Sequence, residues 1–245
     1  MPDFILDGHK ISFEPGQTIL AAAMAAGIYI PHLCWHPAFE PHGSCKLCTV
    51  KVDGRICSAC TFPAAEGQEV VSSSAEIRNL RLRLTQMLFV EGNHFCPSCE
   101  KSGHCELQAM GYYVGMTDSH FPHFFPRRQI DASHPDILLD RDRCIFCELC
   151  VRASRAEGKN VFELAGRGIH IRLIVNSSSG RLGDSDLDVD DFAAHICPVG
   201  AIVIKETAFQ VPIGQRKYDH RTIAEVSLEE ETPLLRKRDG AEEES

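Results

Sequence analysis

The sequence predicts an α+β chain assembled from several small units rather than around one large core. Three observations carry this. Short strand-like runs closed by Asp-Gly or Gly-containing turns occur in both halves, and helical periodicity is confined to segments between them. The 245 residues suit two or three small domains. The 12 cysteines fall into three groups: Cys34, Cys45, Cys48, Cys57 and Cys60; Cys96, Cys99 and Cys105, with His94 just ahead; and Cys144, Cys147, Cys150 and the distant Cys197. Bound metal supplies folding free energy to small units with modest cores.

The elements follow in order. Phe4 to Phe13 reads as two short strands around the Asp7-Gly8 turn, a hairpin signal. Thr18 to Ala26 is alanine-rich and stops at Gly27, which suits a helix with a glycine just past its end. Thr49 to Val52 runs as a strand into Asp53-Gly54, and Gln68 to Val71 closes the unit. Ser73 with Glu76 is the expected capping box of a helix whose apolar face is Ile77, Leu80, Leu84, Met87 and Leu88 and which ends at Gly92. A cysteine-rich loop spans Asn93 to Cys105, and a further helix starts at Glu106. Asp118 to Pro135, rich in His, Pro and Phe, reads as an irregular connector. A second α+β unit opens at Ile137, with a strand expected over Gly168 to Val175. The charged, Glu-rich stretch after Thr232 reads as disordered.

Composition narrows the chemistry. The formal net charge is −9 and there is no basic patch, which disfavours nucleic acid, whose phosphates need clustered Lys and Arg. No apolar run reaches membrane-span length, and the N-terminus lacks the basic n-region of an export signal. A cysteine-rich chain read in this way is expected in the cytoplasm, with its thiols on metal rather than in disulfides.

Soft thiolates select iron–sulfur clusters, zinc or copper(I). In the first group, Cys45-x2-Cys48 lies between Cys34 and the rival fourth donors Cys57 and Cys60. Zinc held by Cys45, Cys48, Cys57 and Cys60 is the alternative there. In the third group Cys144-x2-Cys147-x2-Cys150 has the spacing of bacterial ferredoxins, in which a fourth cysteine follows after three residues and serves a second cluster. Ser154 occupies that place here, so one centre is expected, completed by Cys197-Pro198. Arg141, Arg143, Arg152 and Arg155 offset anionic charge there or form a docking surface. His32, His36, His42, His123 and His195 read as loop or interface residues, and Asp184 to Asp191 as a solvated face. No G-x-G-x-x-G and no P-loop is present; nothing marks a nucleotide or flavin site or a bond-making centre.

The hairpin–helix lead-in, with Ala59-Cys60-Thr61-Phe62-Pro63, resembles the 2Fe–2S domains of respiratory complex I and hydrogenases, and that likeness selects Cys60 over Cys57. His94-Phe95-Cys96-Pro97-Ser98-Cys99 through Cys105 resembles the 4Fe–4S site of the same families, bound by one histidine and three cysteines. There the family has three residues between His and the first Cys where this chain has one; His104 is the rival. The order of the three sites resembles the N-terminal part of the complex I large iron–sulfur subunit. The length resembles the small diaphorase subunit of cytoplasmic NAD-reducing nickel–iron hydrogenases, as does Val211 to Asp219, which alone reads as an edge strand with a polar end.

The resemblance implies a β-grasp 2Fe–2S ferredoxin-like domain over 1–76 with ligands Cys34, Cys45, Cys48 and Cys60. It implies a helical 4Fe–4S segment over 77–117 with His94, Cys96, Cys99 and Cys105. A bacterial-ferredoxin-like 4Fe–4S domain follows over 118–220 with Cys144, Cys147, Cys150 and Cys197, then a charged tail over 221–245. The implied function is electron transfer through one 2Fe–2S and two 4Fe–4S clusters. The source is a diaphorase partner carrying FMN and NAD, and the sink is the small and large hydrogenase subunits. A relay for NAD-linked formate dehydrogenase or a complex I-like dehydrogenase is the alternative, and a zinc-stapled scaffold the remote one.

Overall fold

In this computed structural model the described residues are 1–207 and 209–242, the side chains of 236–242 excepted. In chain order the elements are β1 (Asp3–Leu6), β2 (His9–Ser12), α1 (Ile19–Ala25), β3 (Thr49–Val52), β4 (Arg55–Ser58), β5 (Glu69–Val71), α2 (Ala75–Glu91), α3 (Glu106–Tyr113), β6 (Ile130–Asp131), β7 (Ile137–Asp140), α4 (Leu149–Ala156), β8 (Phe162–Ala165), β9 (Arg172–Val175), α5 (Phe192–His195), β10 (Ile202–Ile204) and α6 (Ile223–Glu242). The α+β expectation holds. Two compact units result. The first comprises Met1–Thr85, Tyr113–Met116 and the chain from Arg221 onward; the second comprises Gln86–Tyr112 and Thr117–His220.

The first unit is a five-stranded sheet in the order β2-β1-β5-β3-β4, with β1 and β5 parallel. Both hairpin turns need two consecutive residues at positive φ, and Asp7-Gly8 (48° and 85°) and Asp53-Gly54 (47° and 82°) supply them. Such turns match the right-handed twist of the strands they join. Thr18 caps α1 by accepting from the Ala21 N–H, and α1 buries Ile19, Leu20 and Met24 in a core with Phe4, Leu6 and Val50. This is the β-grasp arrangement.

Four local expectations are corrected. The helix after β5 is capped by Ser74, whose Oγ accepts from Ile77 N at 3.3 Å; Glu76 is drawn instead to Lys51. Only Arg172–Val175 of the 168–175 run is strand, because Gly168–His170 turn as a 3-10 segment. Residues 211–219 are turns rather than an edge strand. The stretch after Thr232 continues α6 to Glu242 and belongs to the first unit. Thr232 Oγ1 donates to Met24 O at 3.2 Å, His32 Nε2 meets Glu231 Oε2 at 2.9 Å, and Leu235 is buried. A Glu-rich sequence hides this because only a few side chains per turn face α1. Residues 243–245 lie outside the described residues.

The second unit holds a three-stranded sheet, β10-β7-β6, and a β8-β9 ladder. Helix α4 packs on α5 and β8. Buried Asp131 ties β6 to a remote turn by accepting from Leu182 N at 2.8 Å, and from Ser133 N and Oγ. Buried Arg141 donates to Leu173 O at 2.9 Å and Gln129 O at 3.2 Å, so it braces the fold. No helix among the described residues is long and apolar enough to cross a membrane.

Candidate iron–sulfur centres

In the first unit Cys34, Cys45, Cys48 and Cys60 are all buried, whereas Cys57 is half-buried opposite Val50 in the β3-β4 hairpin. Cys48 Sγ lies 3.3 Å from Cys60 Sγ, and Cys45 N donates to Cys34 Sγ at 3.4 Å. Lys46, between two of these cysteines, takes a left-handed φ of 58°. The crowding raises Cys45 and Cys48, through hydrogen bonding with Cys34 and Cys60 respectively and through burial, and the Cys48 contact lowers Cys60. Arg81 fixes the loop from below. Its buried guanidinium donates to Leu47 O at 3.0 Å and Thr49 O at 2.9 Å, the carbonyls either side of Cys48, and to Ser72 O and Oγ at 2.8 Å each. No spacing in the sequence marks Arg81, because two of its four bonds reach partners over thirty positions away.

In the second unit His94, Cys96, Cys99 and Cys105 line one cavity with Phe89, Leu107 and Gly200. His104 is not among the lining residues, and its Nδ1 accepts from Lys217 N at 3.5 Å. The His94 loop is fixed by Asn93, which donates from N to Asp142 O at 2.9 Å and from Nδ2 to Asp142 Oδ2 at 3.0 Å. Gly92 is required by space: a Cβ there would stand 2.5 Å from His94 Nε2 and 2.9 Å from Asp142 O. Phe89 meets the His94 ring edge-to-face at 5.6 Å. His94 Nε2 is buried with no hydrogen-bond partner. Burial, then the charge of Arg143, lowers His94 to about 4, so the ring is neutral at pH 7, the form that ligates metal.

A second cavity of this unit is lined by Cys144, Cys147, Cys150 and Cys197 among apolar walls such as Ile145, Leu164, Leu173 and Val199. Phe146 and Glu148 take left-handed φ of 53° and 60°. That winding wraps backbone around the cysteines, and Phe146 N donates to Cys144 Sγ at 3.4 Å. Burial pushes Cys105 and Cys144 up to about 12, and Cys147 and Cys150 well above the ordinary thiol value. Ser154, in place of a further cysteine, is fully buried and its Oγ accepts from Val161 N at 2.6 Å. It serves the turn after α4.

Comparison with known proteins gives a consistent result. Residues 3–75 match the 2Fe-2S iron-sulfur cluster binding domain family, 81–120 the NADH-ubiquinone oxidoreductase-G iron-sulfur binding region, and 137–204 the 4Fe-4S single cluster domain family. The chain is 40% identical over 228 residues to the NAD-reducing hydrogenase HoxS subunit gamma of Cupriavidus necator, covering 92% of this chain and 97% of that one. The chain belongs to the hydrogenase gamma-subunit family. A crystal structure of NAD+-reducing [NiFe]-hydrogenase in the H2-reduced state contains a chain of the same fold, with TM-score 0.92 and 56% identity, covering 94% of this chain and 98% of that one. The 78 kDa subunit of NADH-ubiquinone oxidoreductase from Candida albicans is 30% identical, but the gamma-subunit-like chain spans only 29% of it.

The donor sets fit the clusters that these domain families bind. Buried and half-buried cysteines ring the cavities, and an imidazole nitrogen with no partner lines one of them. Among the described residues no group of three or more His, Cys, Asp or Glu closes around a single metal ion.

Proposed function

We propose that this gamma-subunit relative relays electrons within an NAD-reducing nickel–iron hydrogenase, and that it holds one 2Fe–2S and two 4Fe–4S clusters. The observation that carries the proposal is the second unit. His94 with three cysteines and, separately, four cysteines face two cavities inside a chain whose length matches a hydrogenase gamma subunit. Cys34, Cys45, Cys48 and Cys60 would hold the 2Fe–2S cluster. His94, Cys96, Cys99 and Cys105 would hold one 4Fe–4S cluster, and Cys144, Cys147, Cys150 and Cys197 the other. Bound clusters supply one-electron carriers whose potentials follow ligand type, charge, hydrogen bonding to sulfur and exposure.

The chain's own residues set those terms. The neutral His94 ring in place of a thiolate makes its site less negative, which raises the potential relative to a four-thiolate site in the same surroundings. Leu164, Leu173, Val199 and Phe89 line the cavities with apolar surface. N–H donors at Cys45 and Phe146 reach ligand sulfurs. FMN and NAD belong on a diaphorase partner, the sink is the hydrogenase small and large subunits, and the complex works in the cytoplasm.

Metal and acid-labile sulfide analysis of the anaerobically purified complex, with electron paramagnetic resonance after NADH reduction, tests this. About ten irons on this chain, with nickel in the complex, is the expected result. Molybdenum or tungsten in place of nickel moves the relay to a formate dehydrogenase, and zinc without a reducible signal overturns it.

A further inference from the structure

Arg143 precedes Cys144 in the chain, yet its side chain is directed to the other cysteine set. Nη1 donates to Cys99 Sγ at 3.6 Å and to Gly200 O at 3.4 Å, and pairs with Glu100; Nε donates to Asp140 Oδ2 at 2.8 Å. The guanidinium is mostly buried, with 18% of the side chain exposed. It is wedged where the two sets meet. Gly200, three residues past Cys197, lies so close that a Cβ would stand 2.9 Å from Cys99 Sγ. Pro198 O accepts from Glu106 N at 2.8 Å, which joins the residue after Cys197 to the residue after Cys105.

We infer that Arg143 is a positioning residue between the two four-iron sites, and that its charge and hydrogen bond to Cys99 raise the reduction potential of the His94-bearing cluster. This rests on the cluster assignment proposed above. A positive charge beside a ligand sulfur favours the reduced, more negative state, and a hydrogen-bond donor to that sulfur acts in the same direction. The screening expected at an exposed site is reduced here by burial. Glu100, paired with the same Nη1, opposes the effect. Arg143 is therefore not a generic counter-charge for the thiols next to it in sequence; it acts on the neighbouring site.

The test is a potentiometric titration, followed by electron paramagnetic resonance, of the anaerobically purified complex carrying Arg143→Gln, Arg143→Lys or Glu100→Gln. The signal of the second site is assigned by its response to His94→Cys. The inference predicts that Arg143→Gln moves the midpoint of that signal to more negative potential, with the Cys144-set signal moving less. Glu100→Gln moves it the other way, and Arg143→Lys restores part of the shift. An unmoved midpoint in Arg143→Gln with full iron content overturns the inference and leaves the cluster assignment standing. If Arg143→Gln loses the cluster, Glu100→Gln decides: a positive shift supports the inference and none overturns it. A wild-type complex without the second-site signal overturns the cluster assignment itself, and the inference with it.

Discussion

At the residue scale the second site turns on one imidazole. His94 lines the cavity with its Nε2 buried and without a partner, while His104 is engaged by Lys217 outside it. Replacing His94 by Ala is expected to remove about four irons per chain and leave the other two signals, whereas His104→Ala leaves all three. An unchanged spectrum for His94→Ala, or a changed one for His104→Ala, reverses the assignment. At the first site, half-buried Cys57 faces Val50 across a hairpin, so Cys57→Ala keeps the 2Fe–2S signal that Cys60→Ala abolishes. Arg81 acts on the same site without touching sulfur. Arg81→Met strands buried carbonyls at Leu47, Thr49 and Ser72, each worth ~1–3 kcal/mol when left unpaired. Chemical denaturation should show a loss of at least ~2 kcal/mol in the first unit, with a broadened 2Fe–2S signal.

Elements carry two further expectations. Helix α6 closes over α1 through Thr232, Glu231 and Leu235. Burial pushes His32 down, but the charge and hydrogen bond of Glu231 outweigh it and raise His32 to about 9. Ending the chain at His220 removes all three contacts, and a lower melting temperature with faster proteolysis near Met24 is expected; an unchanged melting curve would show that α6 contributes nothing. The β6 tie depends on a charge. Burial pushes Asp131 up, yet hydrogen bonds from Ser133 and Leu182 outweigh it and hold the carboxyl below its ordinary value. A depressed carboxyl contributes stability above its unfolded pKa, and that stability is lost as pH falls through the folded value. Asp131→Asn should therefore cost ~1–3 kcal/mol at pH 7, a cost that starts to shrink only below the ordinary carboxyl value of about 4 and fades as pH falls through the lower folded value, measured by denaturation across pH. A cost that does not vary with pH sinks the charge argument.

For the whole molecule, the two units should respond differently to loss of iron. The first has an apolar core of its own, built from Phe4, Leu6, Ile19, Leu20, Met24 and Val50. The second places seven cysteines and His94 around two cavities. Burial raises the thiols of Cys105, Cys144, Cys147 and Cys150, so these four stay protonated without metal, and the cavities then lose what fills them. Metal-site binding free energy becomes folding free energy in such a setting. Oxidation and chelation of the complex should make residues 86–220 sensitive to protease before 1–85. Equal sensitivity of both would argue that the cavities do not depend on iron.

The sequence by itself determined the three cysteine groups, the hairpins and the order of the three iron–sulfur domains. Cysteine spacing, Asp-Gly turns and the Gly27 stop are local, and local geometry is written in nearest neighbours. Only the tertiary structure placed His94 rather than His104 in the cavity. It also turned Arg143 away from its own cysteine loop, set Arg81 under Cys48, gave Ser154 to a turn, and folded the acidic C-terminal stretch back onto α1. Each of those depends on partners far apart in the chain: Arg143 on Cys99, Arg81 on Leu47 and Thr49, Thr232 on Met24. A side chain's partner across a fold is chosen by how the backbone packs and by which buried polar groups are left to satisfy, and neither has a period or a spacing that a sequence displays.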